Sequence, residues 1–175
     1  MFKRLIPDQI VNTVFDIDLN DLTARGVKGI ITDLDNTLVS ARTPLATPKL
    51  IAWLDVLRDM GFKVIILSNN NSGRVKRFAE PLGIPYIPAA RKPTSRAFGE
   101  AIARLGLKPE QAVVVGDQMM TDVLGGRRAG LHTILVTPIA RNEEGLGTRV
   151  NRVIEKIALS RLRRQGLWPI DKGGR

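Results

Sequence analysis

Apolar positions fall along this chain in two spacings. Lys63–Ser68 (KVIILS) and Ala112–Asp117 (AVVVGD) are almost continuous apolar runs, the pattern of strands buried on both faces. Lys28–Asp33 (KGIITD) and His132–Thr137 (HTILVT) read the same way, and Pro85–Ile87 is a short strand. The stretches between them predict helices. One runs over about 47–60, with Thr47 as N-cap, Pro48 in the first turn and Gly61 as the stop. Another covers about 72–82 and ends at Gly83. A third starts after Pro93, capped by Thr94 or Ser95, and reaches Leu105 before Gly106. A fourth covers about 119–129 and ends at Gly130. Strands alternating with helices predict a Rossmann-like, doubly wound α/β sheet of five mostly parallel strands. The N-terminal segment is mixed and yields no clear element. With no internal repeat and no low-complexity linker, 175 residues predict one domain over 1–175.

Composition narrows the chemistry. The chain has no cysteine, which excludes disulfide scaffolds, thiolate zinc sites and cysteine nucleophiles. No apolar run approaches the roughly 20 residues that cross a bilayer, and the N-terminus lacks the pattern of a secretory signal. The expectation is a cytoplasmic protein. A formal net charge of +10 favours anionic partners, namely phosphorylated substrates, an anionic membrane face or nucleic acid.

In an open parallel sheet, ligands bind outside the carboxyl ends of the strands. Polar clusters stand at those ends: Asp33-Leu34-Asp35-Asn36-Thr37, Ser68-Asn69-Asn70-Asn71 and Gly116-Asp117-Gln118, with Arg91-Lys92-Pro93 ahead of the third helix. Each alone has a plain structural reading as a turn, a cap or a loop. Together, in this order, they predict a site.

These residues carry a resemblance to phosphatases of the haloacid dehalogenase (HAD) superfamily over nearly the whole chain. Asp33–Thr37 (DLDNT) matches its first motif, D-x-D-x-T. Ser68 closes the second-motif strand, Lys92 matches the third motif, and Gly116-Asp117 with Asp122 matches the fourth. The forms GDQMMTD, TDVLGG and HTILV, and the closing TRVNRVIEKIALSRLRRQG, are similar to the YqeG-type branch of subclass IIIA. That branch is itself similar to mitochondrial phosphatidylglycerophosphate phosphatases, which typically carry Lys between the two motif aspartates, where this chain has Leu34.

The resemblance implies hydrolysis of phosphate monoesters through an aspartyl-phosphate intermediate. It makes Asp33 the nucleophile and Asp35 the general acid–base. Phosphate esters and carboxylates repel each other, so a divalent cation, Mg2+, is expected between them. Its ligands would be Asp33, Asp117 and the Asp35 backbone carbonyl, with Asp122 bound through water or orienting the others. Lys92, Ser68, Asn69 and Thr37 would bind the phosphoryl oxygens. His132, the one histidine, begins a predicted strand and reads as structural.

Substrate selectivity in the superfamily often comes from inserted caps. Leu38–Leu67 and Asn69–Arg91, where caps insert, are each too short to hold an autonomous domain of about 40 residues beside their own predicted elements. The site should therefore be open, which suits a bulky partner: a lipid at a membrane, a protein or a nucleic-acid end. Closure by self-association into a homo-oligomer keeps small metabolites in play.

The last segment, about 148–164, predicts a basic amphipathic helix. Val150, Val153, Ile154, Ile157, Ala158 and Leu162 share a face. From Arg149 to Arg175 there are eight basic residues and two acidic ones, a surplus of +6, and Trp168 follows the helix. One reading docks the apolar face on the domain. The other lays the helix on an anionic lipid surface, peripheral to the inner membrane face, with Phe2, Lys3, Arg4, Leu5 and Ile6 assisting. Nucleic acid ranks lower, because aromatics are only 5% of the chain. A non-enzymatic scaffold retaining the fold is the remaining alternative.

Overall fold

The structure, a computed structural model, describes residues 2–140 and 146–168. Strands β1 (Gln9–Val11), β2 (Gly29–Thr32), β3 (Lys63–Leu67), β4 (Tyr86–Ile87), β5 (Ala112–Gly116) and β6 (His132–Val136) form one parallel sheet in the order β1-β6-β5-β2-β3-β4. The helices are α1 (Leu19–Ala24), α2 (Pro48–Asp59), α3 (Ser72–Ala79), α4 (Ser95–Leu105), α5 (Leu124–Arg128) and α6 (Leu146–Arg164). The sheet has six strands where the sequence pattern predicts five. The extra one, β1, is three half-buried residues paired with β6 at the edge, too short to show a period. Asp8 anchors it: its carboxylate accepts from the Thr133 amide at 2.8 Å and pairs with Arg127 at 2.8 Å.

The long predicted elements form where expected. Thr47 caps α2 by accepting from the Leu50 amide at 3.2 Å, and Asn71 caps α3 by accepting from the Arg74 amide at 2.9 Å. The predicted helix over 119–129 divides into a π-helical stretch, Met119–Val123, and the short α5. Close packing accounts for its glycines. A Cβ on Gly125 would lie 2.2 Å from the Phe98 ring of α4, and one on Gly126 would lie 2.8 Å from the Thr133 methyl of β6.

Alternation along the central strand divides the core. Ile30 faces a cluster with Leu22, Leu50, Leu57 and Phe78, and Ile31 faces one with Ile65, Phe98, Ile102 and Leu105. A third, smaller cluster joins Leu5 and Met119 to Ala158 and Leu162 of α6. The apolar face predicted for that last helix is thereby split. Ala158 and Leu162 are buried, whereas Val150, Val153, Ile154 and Ile157 stand 40–59% exposed. Asp171, Lys172 and Arg175 of the basic tail lie outside the described residues.

The spans where caps insert hold little. Between β2 and β3 there is one helix with its loops, and between β3 and α4 there are α3, a 3-10 turn and the short β4.

A buried acidic site at the switch point of the sheet

From β2 the chain adds β3 and β4 on one side of the sheet and then β5 and β6 on the other, so the order of strands reverses there. The carboxyl ends of β2 and β5 therefore flank the crevice where such sheets bind ligands. β2 delivers Asp33, whose amide donates to the Val115 carbonyl at 2.9 Å and continues the ladder. The chain then turns tightly, with the Leu34 carbonyl accepting from the amides of Thr37, Leu38 and Val39. Asn36 sits at φ 63°, a left-handed conformation that Asn tolerates. Its side-chain oxygen accepts from the Ala140 amide at 3.2 Å, which fixes the turn.

β5 delivers Asp117. Gly116 before it has to lack a side chain, because a Cβ there would lie 2.2 Å from the Asp122 carboxyl carbon. Asp33, Asp117 and Asp122 are all buried, with ligand oxygens within 4.8 Å of one another. Lys92 reaches into this triad, its Nζ 2.9 Å from Asp33 Oδ1 and 2.7 Å from Asp122 Oδ1. Asn69 fixes that lysine: its amide accepts from Lys92 N at 2.7 Å and donates to Lys92 O at 3.2 Å. The Thr37 hydroxyl donates to Asp117 Oδ1 at 3.2 Å. Ser68 is buried, and its hydroxyl accepts from the Asn70 amide at 3.1 Å.

Asp35 lies at the lip of the triad. Arg74 of α3 donates to its Oδ1 from Nε at 3.2 Å and Nη2 at 3.0 Å, and Asn70 donates to its Oδ2 at 2.8 Å. From the other side Arg152 of α6 pairs with Asp117 Oδ2 and is braced by Glu155 at 3.1 Å. The predicted residues thus come together, with Asn69 and Thr37 engaged by Lys92 and Asp117. Asn70, read in the sequence only as part of a polar cluster, gains a contact with Asp35, and Arg74, Arg152 and Glu155 are additions. The readable signal for the last two was Glu155, an acid three residues after Arg152 in a helix otherwise basic. His132 stays apart, with Asp8 as its charged neighbour at 3.6 Å.

Packing these acids together perturbs them. Burial, against the opposing pull of Lys92, raises the Asp33 pKa to about 6. Burial and the charges of Asp33 and Asp122 raise Asp117 to about 8, although Arg152 opposes this. Burial would lower Lys92, but Asp122 and Asp33 override it and hold the ammonium charged. Counted as ionised, Asp33, Asp117, Asp122 and Glu155 face Lys92 and Arg152, leaving two negative charges. An oxygen-only donor set with that surplus fits a hard divalent cation such as Mg2+.

A carboxyl whose pKa is raised on folding contributes stability that is present below its unfolded pKa and lost as pH rises through its folded value. His132, held low by burial, acts in the opposite sense only around and below its ordinary value. In EDTA the melting temperature should therefore fall as pH rises toward about 8, most cleanly between about pH 6.5 and about pH 8, above the range of His132 and Asp33, and level off beyond that as Asp117 becomes ionised in both states; magnesium should restore it at the higher pH. A melting temperature flat over that range, with and without magnesium, would contradict the assignment.

A cavity of about 370 Å³, lined by Leu54, Phe62, Lys63, Ile84 and Arg104, opens near Lys63 at the amino end of β3, the opposite end of the strands. It contains none of the site carboxylates.

The haloacid dehalogenase-like hydrolase profile matches residues 41–130. A probable phosphatase, YqeG of Bacillus subtilis, is 54% identical over 94% of this chain and 95% of its own. Phosphatidylglycerophosphate phosphatase 1 of Arabidopsis thaliana, chloroplastic/mitochondrial, is 27% identical over 95% of this chain, which spans about half (51%) of that protein. Among solved structures, the cobalt-bound deoxy-D-mannose-octulosonate 8-phosphate phosphatase of Haemophilus influenzae superposes with a TM-score of 0.55 at 18% identity, covering 78% of this chain and 89% of that one. The corresponding Moraxella catarrhalis phosphatase, solved with magnesium, phosphate and KDO, gives 0.51 at 19% identity, covering 79% and 92%.

Proposed function

The chain belongs to the haloacid dehalogenase-like hydrolases and is a phosphatase, and from that premise we propose that it hydrolyses phosphate monoesters through a phosphorylated Asp33, with a lipid phosphate as substrate. The observation that carries the mechanism is Lys92 Nζ bound at once to Asp33 and Asp122 in a buried acidic triad.

A carboxylate oxygen of Asp33 attacks phosphorus, and the bond to the leaving oxygen breaks. Asp35, held at the lip by Arg74 and Asn70, gives that oxygen its proton. Asp35 then takes a proton from water as the water attacks phosphorus, which releases inorganic phosphate and frees Asp33. Lys92 neutralises the non-bridging oxygens, with the Ser68 hydroxyl as a further donor. Asn69 contributes by holding Lys92 in place. Asp33, Asp117 and the Asp35 backbone carbonyl would hold Mg2+, with Asp122 bound through water, and the ion would offset the repulsion between phosphate and carboxylate.

Asp35→Asn tests this scheme. Turnover of a poor leaving group should fall about 10²–10⁴-fold. With nitrophenyl phosphate, phosphorylation should suffer less than dephosphorylation, so a phosphoenzyme should be trapped on rapid acid quench. Equal loss on both substrates with no trapped species would remove Asp35 from the acid–base role.

Two observations support a lipid substrate. The Arabidopsis relative is named for phosphatidylglycerophosphate. On α6, Val150, Val153, Ile154 and Ile157 form an exposed apolar stripe on a helix that also carries exposed Arg149, Lys156, Arg163 and Arg164. No helix among the described residues is long and apolar enough to cross a membrane, so the proposed contact is peripheral, on an anionic inner face. Each Lys or Arg near such a surface contributes about 1 kcal/mol. The protein should co-sediment with anionic but not zwitterionic vesicles, less so at high salt. Val150, Val153 and Ile157 changed together to Ser should weaken binding while leaving turnover of soluble nitrophenyl phosphate unchanged. Absence of vesicle binding at any salt would return the substrate to soluble phosphates.

A further inference from the structure

Asp117 is held from outside its own loop. Arg152, on α6, donates from Nη1 to the Asp117 backbone carbonyl at 2.7 Å and from Nη2 to Asp117 Oδ2. The same Nη1 is 3.1 Å from Glu155 Oε2, and the other Glu155 oxygen accepts from the Met120 amide at 3.1 Å. Glu155 is buried, and the Arg152 side chain is 15% exposed. The pair thus joins α6 to the loop after β5 at Asp117 and at Met120. Meanwhile Thr37, from the turn after β2, occupies Asp117 Oδ1. Each carboxylate oxygen is therefore held by a donor from a different element, which removes the side chain's rotational freedom.

We propose that Arg152 is a positioning residue for the metal site. By taking Oδ2 and the backbone carbonyl in one planar fork, it sets the Asp117 rotamer so that Oδ1 is presented to a divalent cation alongside Asp33 and Asp122. The basic C-terminal helix is then part of the catalytic centre. A carboxylate oxygen accepts more than one partner, so Oδ1 serves both Thr37 and an ion. A fork is needed because a single ammonium cannot span a carbonyl and a carboxylate with the same geometry. Docking of α6 does not depend on this contact, since Ala158 and Leu162 pack against Leu5 and Met119. The proposal rests on the magnesium reading above and adds the residue that orders it.

The test is magnesium affinity by calorimetry on the full chain, a measurement independent of turnover. Arg152→Gln should weaken binding by about 10–100-fold, the usual loss when the partner of a metal ligand is removed. Arg152→Lys should recover only part of it. In activity, the magnesium concentration for half-maximal turnover of nitrophenyl phosphate should rise, while KM for the ester at saturating magnesium stays put. Leu162→Ala, which loosens α6 without touching the guanidinium, should shift affinity less than Arg152→Gln. Unchanged or tighter binding in Arg152→Gln overturns the proposal, as does equal weakening in Leu162→Ala. Should Arg152→Gln not fold, Arg152→Lys decides: it keeps the charge and loses the fork, and wild-type affinity in it overturns the proposal. A wild-type chain that binds no magnesium overturns the metal reading itself, and this proposal with it.

Discussion

Asp33→Asn should give a folded protein that no longer turns over nitrophenyl phosphate in the presence of magnesium. The amide is close to isosteric with the carboxyl, so the buried space at the end of β2 stays filled. It is a very poor nucleophile and a weaker ligand for a hard cation, so two contributions disappear together. The expected loss is roughly 10⁴-fold or more, on the scale seen when other hydrolases lose their nucleophile. Stability should not suffer, because burial already raises the Asp33 pKa to about 6 and its ionised form is the disfavoured one at this position. Circular dichroism and the melting temperature check the fold, and acid-quench labelling checks that no phosphoenzyme forms. Wild-type turnover in a folded Asp33→Asn protein would end the proposed mechanism.

Lys92→Met should damage stability and activity at once. The ammonium is 2% exposed and touches both Asp33 and Asp122. Methionine has similar length and no charge, so the loss is electrostatic rather than a cavity. Breaking a buried ion pair from one side costs about 3–5 kcal/mol, because the carboxylates remain without their counter-charge. Protonation gives partial relief, so denaturant unfolding in EDTA should show the larger loss at about pH 8.5 and a smaller one near pH 6. Magnesium should recover part of the stability but not the turnover, since the phosphoryl oxygens would still lack the ammonium; the loss there is about 10²–10³-fold. A stability change under about 1 kcal/mol at both pH values would show that the triad does not depend on Lys92 for its charge balance.

The two substitutions separate the roles that the geometry combines. Asp33→Asn removes chemistry and spares the fold. Lys92→Met leaves the nucleophile in place and removes the charge that lets three acids be buried together.

What the amino-acid order alone determined here is what local periodicity and end-signals encode. Val64–Leu67 and Val113–Val115 are unbroken apolar runs because their strands are covered on both faces, so their polar successors, Ser68 and Asp117, had to lie at strand ends. Thr47 with Pro48 marked the start of α2, and the order Asp33, Ser68, Lys92, Asp117 pointed to one rim of the sheet. β1 was not legible, since three residues carry no period and its stability comes from β6 and from Asp8 at a distance in sequence. The α6 face was legible as apolar, but which part is buried was decided by where Leu5 and Met119 lie, leaving Ala158 and Leu162 covered and Val150 and Val153 in solvent. The phosphate donors inferred for Thr37 and Asn69 rested on residue type. Tertiary structure aimed the first at Asp117 and the second at the Lys92 backbone. Arg152 was one basic residue among several on a helix. Its pairing with Asp117 depends on the docking of α6 against the loop after β5, a contact between parts of the chain 35 residues apart that spacing within the helix does not encode.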